Sequence, residues 1–144
     1  MNAEGGTRST PGGCVTGDLM ERTKVFAMHT IGLVESLPRG RTTEVIGRQL
    51  LRSGTSVAAN YRAARRARSG REFIAKMGIV EEEADESAFW FELLVETELV
   101  PAARVAALRD EASQLTAITV ASIRTARRSM RDVPRSGFRV RRSP

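Results

Sequence analysis

Residues 42–68 read TTEVIGRQLLRSGTSVAANYRAARRAR, and the placing of apolar and basic residues in this run decides the fold. At about 100° per residue, Ile46, Leu50, Val57, Tyr61 and Ala64 fall on one face. Arg48, Arg52, Arg62 and Arg66 fall on the opposite one. The run is therefore an amphipathic helix with a basic outer stripe. Between the two pairs of Arg lies a small, polar stretch, Ser53 to Asn60, whose short side chains let another helix approach closely.

On the C-terminal side, Ser69 with Glu72 three residues later forms a capping box, and a helix follows to about Leu99. Phe73, Met77, Val80, Ala84, Ser87, Phe91 and Leu94 recur there at steps of three and four. Val100-Pro101 breaks the chain, and a further helix runs from about Ala102 to Met130. Its inner side carries Val105, Leu108, Ala112, Leu115, Ile118, Ser122 and Ile123. On the N-terminal side, Leu37-Pro38-Arg39-Gly40 ends a helix that starts near Asp18, as N-cap, and reaches Ser36. Met20, Ala27, Ile31 and Val34 recur in it at helical spacing.

Four helices with short connections predict an all-α, antiparallel up-down-up-down four-helix bundle over residues 18–131. Residues 1–17 form a leader with four of its five Gly in two pairs and almost no apolar content, which predicts disorder. Residues 132–144 form a basic tail with few apolar residues, expected to be flexible.

The charge pattern is the main functional signal. From Arg39 to Arg71 there are nine Arg and one Glu; from Glu72 to Glu98 there are nine acids and one Lys. The whole chain carries only +6, so the balance conceals a polarised molecule. Such asymmetry means either that neighbouring helices pair or that a basic face is kept for a polyanion. The cluster Glu81-Glu82-Glu83 with Asp85 and Glu86 wraps too far round its helix to be only a solvated face, so some of these carboxylates should meet Arg from elsewhere.

Enzymatic chemistry finds little to stand on. His29 is the single histidine, which leaves no His-based triad and no multi-His metal site within one chain. It reads as a partly buried polar residue. Glu82 and Glu86, one turn apart, are able to share a divalent ion, but pairing to Arg is the preferred reading. Cys14 has no partner for an internal disulfide and no fixed base nearby. No cofactor is expected. No apolar run approaches the roughly 18–20 residues that span a bilayer, and residues 1–17 lack a secretory apolar core, so the expectation is a cytoplasmic protein without a membrane role. Trp90 and Phe91 are adjacent and cannot share one helix face; one belongs to the core and the other is half-buried or part of a subunit contact, since Phe89-Trp90-Phe91 is a lot of apolar surface for one helix.

The run Ser56-Val57-Ala58-Ala59-Asn60, then Ser69, then Glu72-Phe73-Ile74, then Glu86, resembles the S-x-x-A-N…S-x-x-E-F-I…E signature of a bacterial four-helix bundle family. That family includes proteins encoded by intervening sequences in large-subunit ribosomal RNA genes and the accessory variability protein of diversity-generating retroelements. The likeness is strong over Ile46–Val100. Ala63-Ala64 stands where the family has Glu-Gly, and Glu82-Glu83 where it has Gly-Ser. The resemblance implies a bundle protomer that assembles into a homopentamer with a basic surface. In one branch it implies nucleic-acid binding and partnership with a reverse transcriptase.

Together these readings point to a non-enzymatic, oligomeric accessory protein that binds RNA or DNA with little regard to sequence. Arg48, Arg52, Arg62, Arg65 and Arg66 would meet backbone phosphates, joined by Arg124, Arg127, Arg128 and Arg131 and the basic tail. The alternative is a protein–protein interaction module whose Arg face is taken up in contacts between copies, with no nucleic acid.

Overall fold

The computed structural model describes residues 15–132, with side chains from Leu19 onward. They form α1 (Val15–Glu35), α2 (Arg41–Arg65), α3 (Gly70–Glu96) and α4 (Ala102–Asp132), with no strand among the described residues. Each helix packs on the next in chain order, and α4 returns to α1 more sparsely. The architecture is the expected all-α four-helix bundle. Residues 1–14 and 133–144, which hold most of the expected leader and tail, lie outside the described residues.

The core is one continuous cluster. In α2 it takes Ile46, Leu50, Val57, Tyr61 and Ala64, as the periodicity requires. In α3 it takes Met77, Val80, Ala84, Phe91 and Leu94, with Ser87 buried beside them and Phe73 half-buried. Phe26 of α1 meets Phe91 edge to face, with ring centroids 6.3 Å apart and planes at 88°. Burial of each ring is worth about 1.5–3 kcal/mol, and the edge contact about 0.5–1.5 kcal/mol more. In α4 the inner line is Val105, Ala112, Leu115, Thr119 and Ile123, while Leu108, Ile118 and Ser122 are half-buried.

α1 departs from expectation. Its buried line is Leu19, Thr23, Phe26, Thr30 and Leu33, at steps of four and three, with Ala27 beside it. Met20 and Ile31, expected inside, are 38% and 40% exposed. The inner positions are disguised by two threonines. Each satisfies its own hydroxyl by donating 2.8 Å hydrogen bonds to the carbonyl four residues earlier, Thr23 to Leu19 and Thr30 to Phe26. Each can then be buried without an unpaired polar group. His29, expected to be partly buried, is exposed.

The helix ends also shift. α1 begins at Val15 rather than at an Asp18 cap, and α2 begins at Arg41 with Gly40 as N-cap. α2 ends at Arg65, three residues short of the expected Arg68. The Ser69 half of the capping box at α3 is present: Ser69 Oγ accepts from Glu72 N at 3.1 Å, while the Glu72 carboxylate accepts from Arg68 N at 3.1 Å, one residue before the cap. After α3, Glu98 adopts φ 60, and the amides of Leu99 and Val100 bond back to the Leu94 carbonyl at 3.0 and 3.2 Å. This closes the last turn and sends the chain into α4.

Candidate nucleic-acid interface

The up-down topology puts the start of α1, the end of α2, the start of α3 and the end of α4 at one end of the bundle. The contact between α3 and α4 confirms that placement: a Cβ on Gly70 would lie 3.1 Å from Sδ of Met130. The arginines of two separate sequence runs are thereby gathered. Arg62 and Arg65 come from the last turn of α2 and Arg66 from its C-cap; Arg124, Arg127, Arg128 and Arg131 come from the last turns of α4. All seven are exposed. Lys24 of α1, Arg68 in the turn and Arg71 of α3 stand at the same end.

None of these ten cations makes an ion pair or side-chain hydrogen bond among the described residues. Glu21, Glu72 and Asp132 are interspersed with them. Basic residues near a helix C-terminus gain about 0.3–1 kcal/mol from the helix dipole, which accounts for one or two of them. It does not account for so many like charges at one end, which raise the local potential and draw in anions.

Between α1 and α2 at this end lies a groove of about 820 Å³. Thr55, Ala58 and Ala59 form its floor, and Lys24, Arg62, Arg65 and Arg66 stand around it. Because the floor side chains are short, the guanidinium groups rim a concavity instead of lying on a flat surface. A second hollow of about 480 Å³ continues past Ala63 to Arg68 and Glu72. Arg forks arranged in this way are suited to phosphate oxygens, which they meet with two parallel hydrogen bonds.

The other two arginines expected at the site are elsewhere. Arg48 stands near the opposite end, where it pairs with Glu44 at 2.7 Å on the exposed surface. Arg52 is occupied within the chain: it holds Glu83 at 3.1 Å and is also bonded to Glu86, both on α3. Here the expectation that acidic residues of α3 meet Arg from elsewhere holds. Burial pushes the Glu83 carboxyl above its ordinary value despite the nearby Arg52 charge. Burial acts the same way on Glu86, but the Arg52 hydrogen bond and charge outweigh it and hold that carboxyl below. Trp90 Nε1 is buried without a hydrogen-bond partner of good geometry, yet lies near enough to Glu86 to favour its ionised form. The pairing raises the Arg52 guanidinium further. Arg52 is thus a tie between α2 and α3 and not a free phosphate ligand. No group of three or more His, Cys, Asp or Glu able to hold a metal ion occurs among the described residues. No helix there is long and apolar enough to cross a membrane.

Sequence reading missed Lys24, Arg68 and Arg71 as members of the basic end. The signal was available for Lys24, since an antiparallel α1 must bring its start beside the end of α2.

A sequence model described as 23S rRNA-intervening sequence protein matches residues 17–121. Among solved structures, the chain is similar to a protein of unknown function from the S23 ribosomal protein family of Bacteroides thetaiotaomicron. The identity is 30%, over 73% of this chain and 97% of that one, with a TM-score of 0.69. Comparison with curated proteins finds no match.

Proposed function

The chain belongs to the 23S rRNA-intervening sequence protein family, and from that premise we propose that it is a non-enzymatic nucleic-acid-binding accessory protein acting as a homo-oligomer. The observation that carries the reading is the convergence of unpaired arginines from α2 and α4 on one end of the bundle, around a groove with a small-residue floor. Binding there is to backbone phosphate and so is largely indifferent to sequence. Arg62, Arg65, Arg66, Arg124, Arg127, Arg128 and Arg131 are its residues, with Lys24, Arg68 and Arg71. The family resemblance implies five copies in the assembly.

The test is retention of the full chain on RNA or heparin as salt is raised. Affinity should fall steeply, with a log–log slope of about −0.7 to −0.9 per phosphate met. Replacing Arg62, Arg65 and Arg66 together with Glu should remove most binding while the assembled mass stays unchanged. Absence of retention at low salt, with the oligomer intact, would leave the alternative of an interaction module without nucleic acid.

A further inference from the structure

The groove between α1 and α2 at the basic end is blind. Toward the middle of the bundle the two helices close on each other, where Gly54 faces Thr30 so tightly that a Cβ would lie 2.8 Å from Cγ2 of Thr30. Both residues are buried there. The groove stops short of that contact, at Lys24 and Thr55. The next hollow along the same seam is a separate one, which takes in Val34 and Leu51. On its other side the groove is open. It shares Ala59, Arg62 and Arg66 with the second hollow, which leads past Ala63 to Arg68. A strand can therefore enter from the second hollow but cannot run on along the seam.

The lining differs from that of a plain phosphate surface. Thr55, Ala58 and Ala59 are short, and Met20 stands beside them, 38% exposed. A phosphate has no use for apolar methyl and thioether groups, whereas a base and a sugar do. The flexible thioether of Met20 suits the face of a planar ring. The volume of about 820 Å³ lies within the roughly 300–1,000 Å³ of small-ligand sites. The charge differs as well. Lys24, Arg62, Arg65 and Arg66 are four cations around the groove, and Glu21 is the one acid among the described residues lining it, which leaves +3. An internal phosphodiester brings a single negative charge. A terminal phosphate monoester brings about 1.5–2 at pH 7, and the diester behind it adds one more. The cations thus match a strand that ends in the groove better than a strand in passage. None of the four is spent on an ion pair among the described residues.

We propose that this groove holds the terminal nucleotide of a nucleic-acid strand that ends in a phosphate, an inference that rests on the basic end being a nucleic-acid interface and names what that interface recognises. The monoester lies among the Arg forks, which donate parallel hydrogen bonds to its oxygens. Base and sugar cover the short floor beside Met20, and Glu21 at the rim accepts from a sugar hydroxyl. The next phosphate passes between Arg62 and Arg66 into the second hollow, toward Arg68. The Thr30–Gly54 contact is the stop that makes the site read an end and not a length of strand. No aromatic side chain lines the groove, so the base is held by its face against methyl and thioether groups, and its identity matters little. The same chemistry is offered by a 5′ end, a 3′ end and a free nucleotide.

Isothermal titration of the full chain with short single-stranded RNAs tests the proposal, at a salt concentration that weakens contacts along the strand. One RNA carries a 5′-phosphate and one a 3′-phosphate; a third, one nucleotide longer to restore the charge, ends in hydroxyls. One of the two phosphorylated RNAs should bind about tenfold more tightly than the third, and which one does so gives the direction of the strand in the groove. Adenosine 5′-monophosphate has the monoester, sugar and base but no following phosphate, so it should bind more weakly than the better RNA. Ala59→Leu fills the floor at an exposed position without altering charge. It should abolish the preference for a phosphorylated end and leave binding of the hydroxyl-ended RNA, its salt slope and the helical circular dichroism unchanged. Equal affinity of the wild type for all three RNAs would overturn the end site alone. A preference that survives Ala59→Leu would overturn the groove as its place, and adenosine monophosphate binding as tightly as the RNA would replace the strand end by a free nucleotide. Failure of every RNA to bind at low salt would overturn both this site and the nucleic-acid reading.

Discussion

Ser53 of α2 and Ser87 of α3, both fully buried, share a 2.9 Å hydrogen bond between their hydroxyls at the centre of the helix pair. Ser87 also reaches the Glu83 carbonyl at 2.9 Å. Small side chains bring the two helices close, and the hydroxyls then have no water to turn to. Removing the Ser87 hydroxyl leaves that of Ser53 unsatisfied, whereas removing both leaves an apolar contact of nearly the same shape. Ser87→Ala alone should cost about 1–2 kcal/mol, and Ser53→Ala less, because Ser87 keeps the Glu83 carbonyl. Ser53→Ala with Ser87→Ala should cost less than the sum of the two single changes, because no hydroxyl is then left stranded. Urea unfolding of the four chains in a double-mutant cycle reads the difference.

The carboxylates held by Arg52 should behave oppositely with pH. Glu86 is depressed in the folded protein, so it contributes stability that is present above the unfolded value and lost as pH falls through the folded one. Glu83 is raised, so its ionised form opposes folding at neutral pH, and its protonation favours the fold as pH falls. Glu86→Gln should be destabilised at pH 7, with the gap to wild type closing below the ordinary carboxylate range. Glu83→Gln should be neutral or stabilised at pH 7. Thermal melts across pH 3–7 check both, and equal losses from the two changes would contradict the assignment.

Two backbone positions invite opposite substitutions. A Cβ on Gly54 would lie 2.8 Å from Cγ2 of Thr30, itself fully buried and hydrogen-bonded to Phe26. Gly54→Ala should therefore destabilise by about 1–2 kcal/mol, the overpacking cost outweighing the better helix propensity. Glu98 holds φ 60, a conformation that costs a residue with a Cβ about 1–2 kcal/mol. Glu98→Gly should stabilise by about 0.5 kcal/mol, after the greater entropy of glycine in the unfolded chain is subtracted. Chemical denaturation at fixed salt separates the two signs.

At the basic end, Arg124, Arg127, Arg128 and Arg131 lie apart from the α1–α2 groove. Replacing these four with Gln should make the salt slope of RNA binding shallower by up to about 3, as four fewer phosphates are met. Affinity at low salt should drop without a change in sequence preference. A slope unaltered by the four changes would confine binding to the groove.

How much of this was legible in the sequence depended on whether a residue acts along its own helix or across the bundle. The inner faces of α2 and α3 were plain because their apolar residues keep helical spacing on both sides of a single gap, at Ser53 and at Ser87, and the Ser69 cap because its partner is three residues away. α1 misled because Thr23 and Thr30 occupy core positions and hide their polarity against their own backbone. That left Met20 and Ile31 looking like the stripe. The acidic stretch of α3 was correctly expected to meet arginine, but nothing in the sequence singled out Arg52. The basic end depends on topology: Arg62 and Arg128 are far apart in sequence and share an end only because the chain reverses between helices.

The sparse meeting of α1 with α4 has a dynamic consequence. α1 leans on α2 through the close approaches at Gly47 and Gly54, but is tied to α4 mainly by Arg22, which reaches Glu111 at 2.9 Å and Gln114 at 3.0 Å. A hairpin of α2 and α3 with α4 behind it retains most of its internal packing when α1 swings away. The lowest-energy opening of the native state should therefore be the release of α1, short of global unfolding. Its amides would exchange with solvent deuterium ahead of those in α2 and α3. Cutting the Arg22 tie would widen that lead and leave the order of the other helices unchanged.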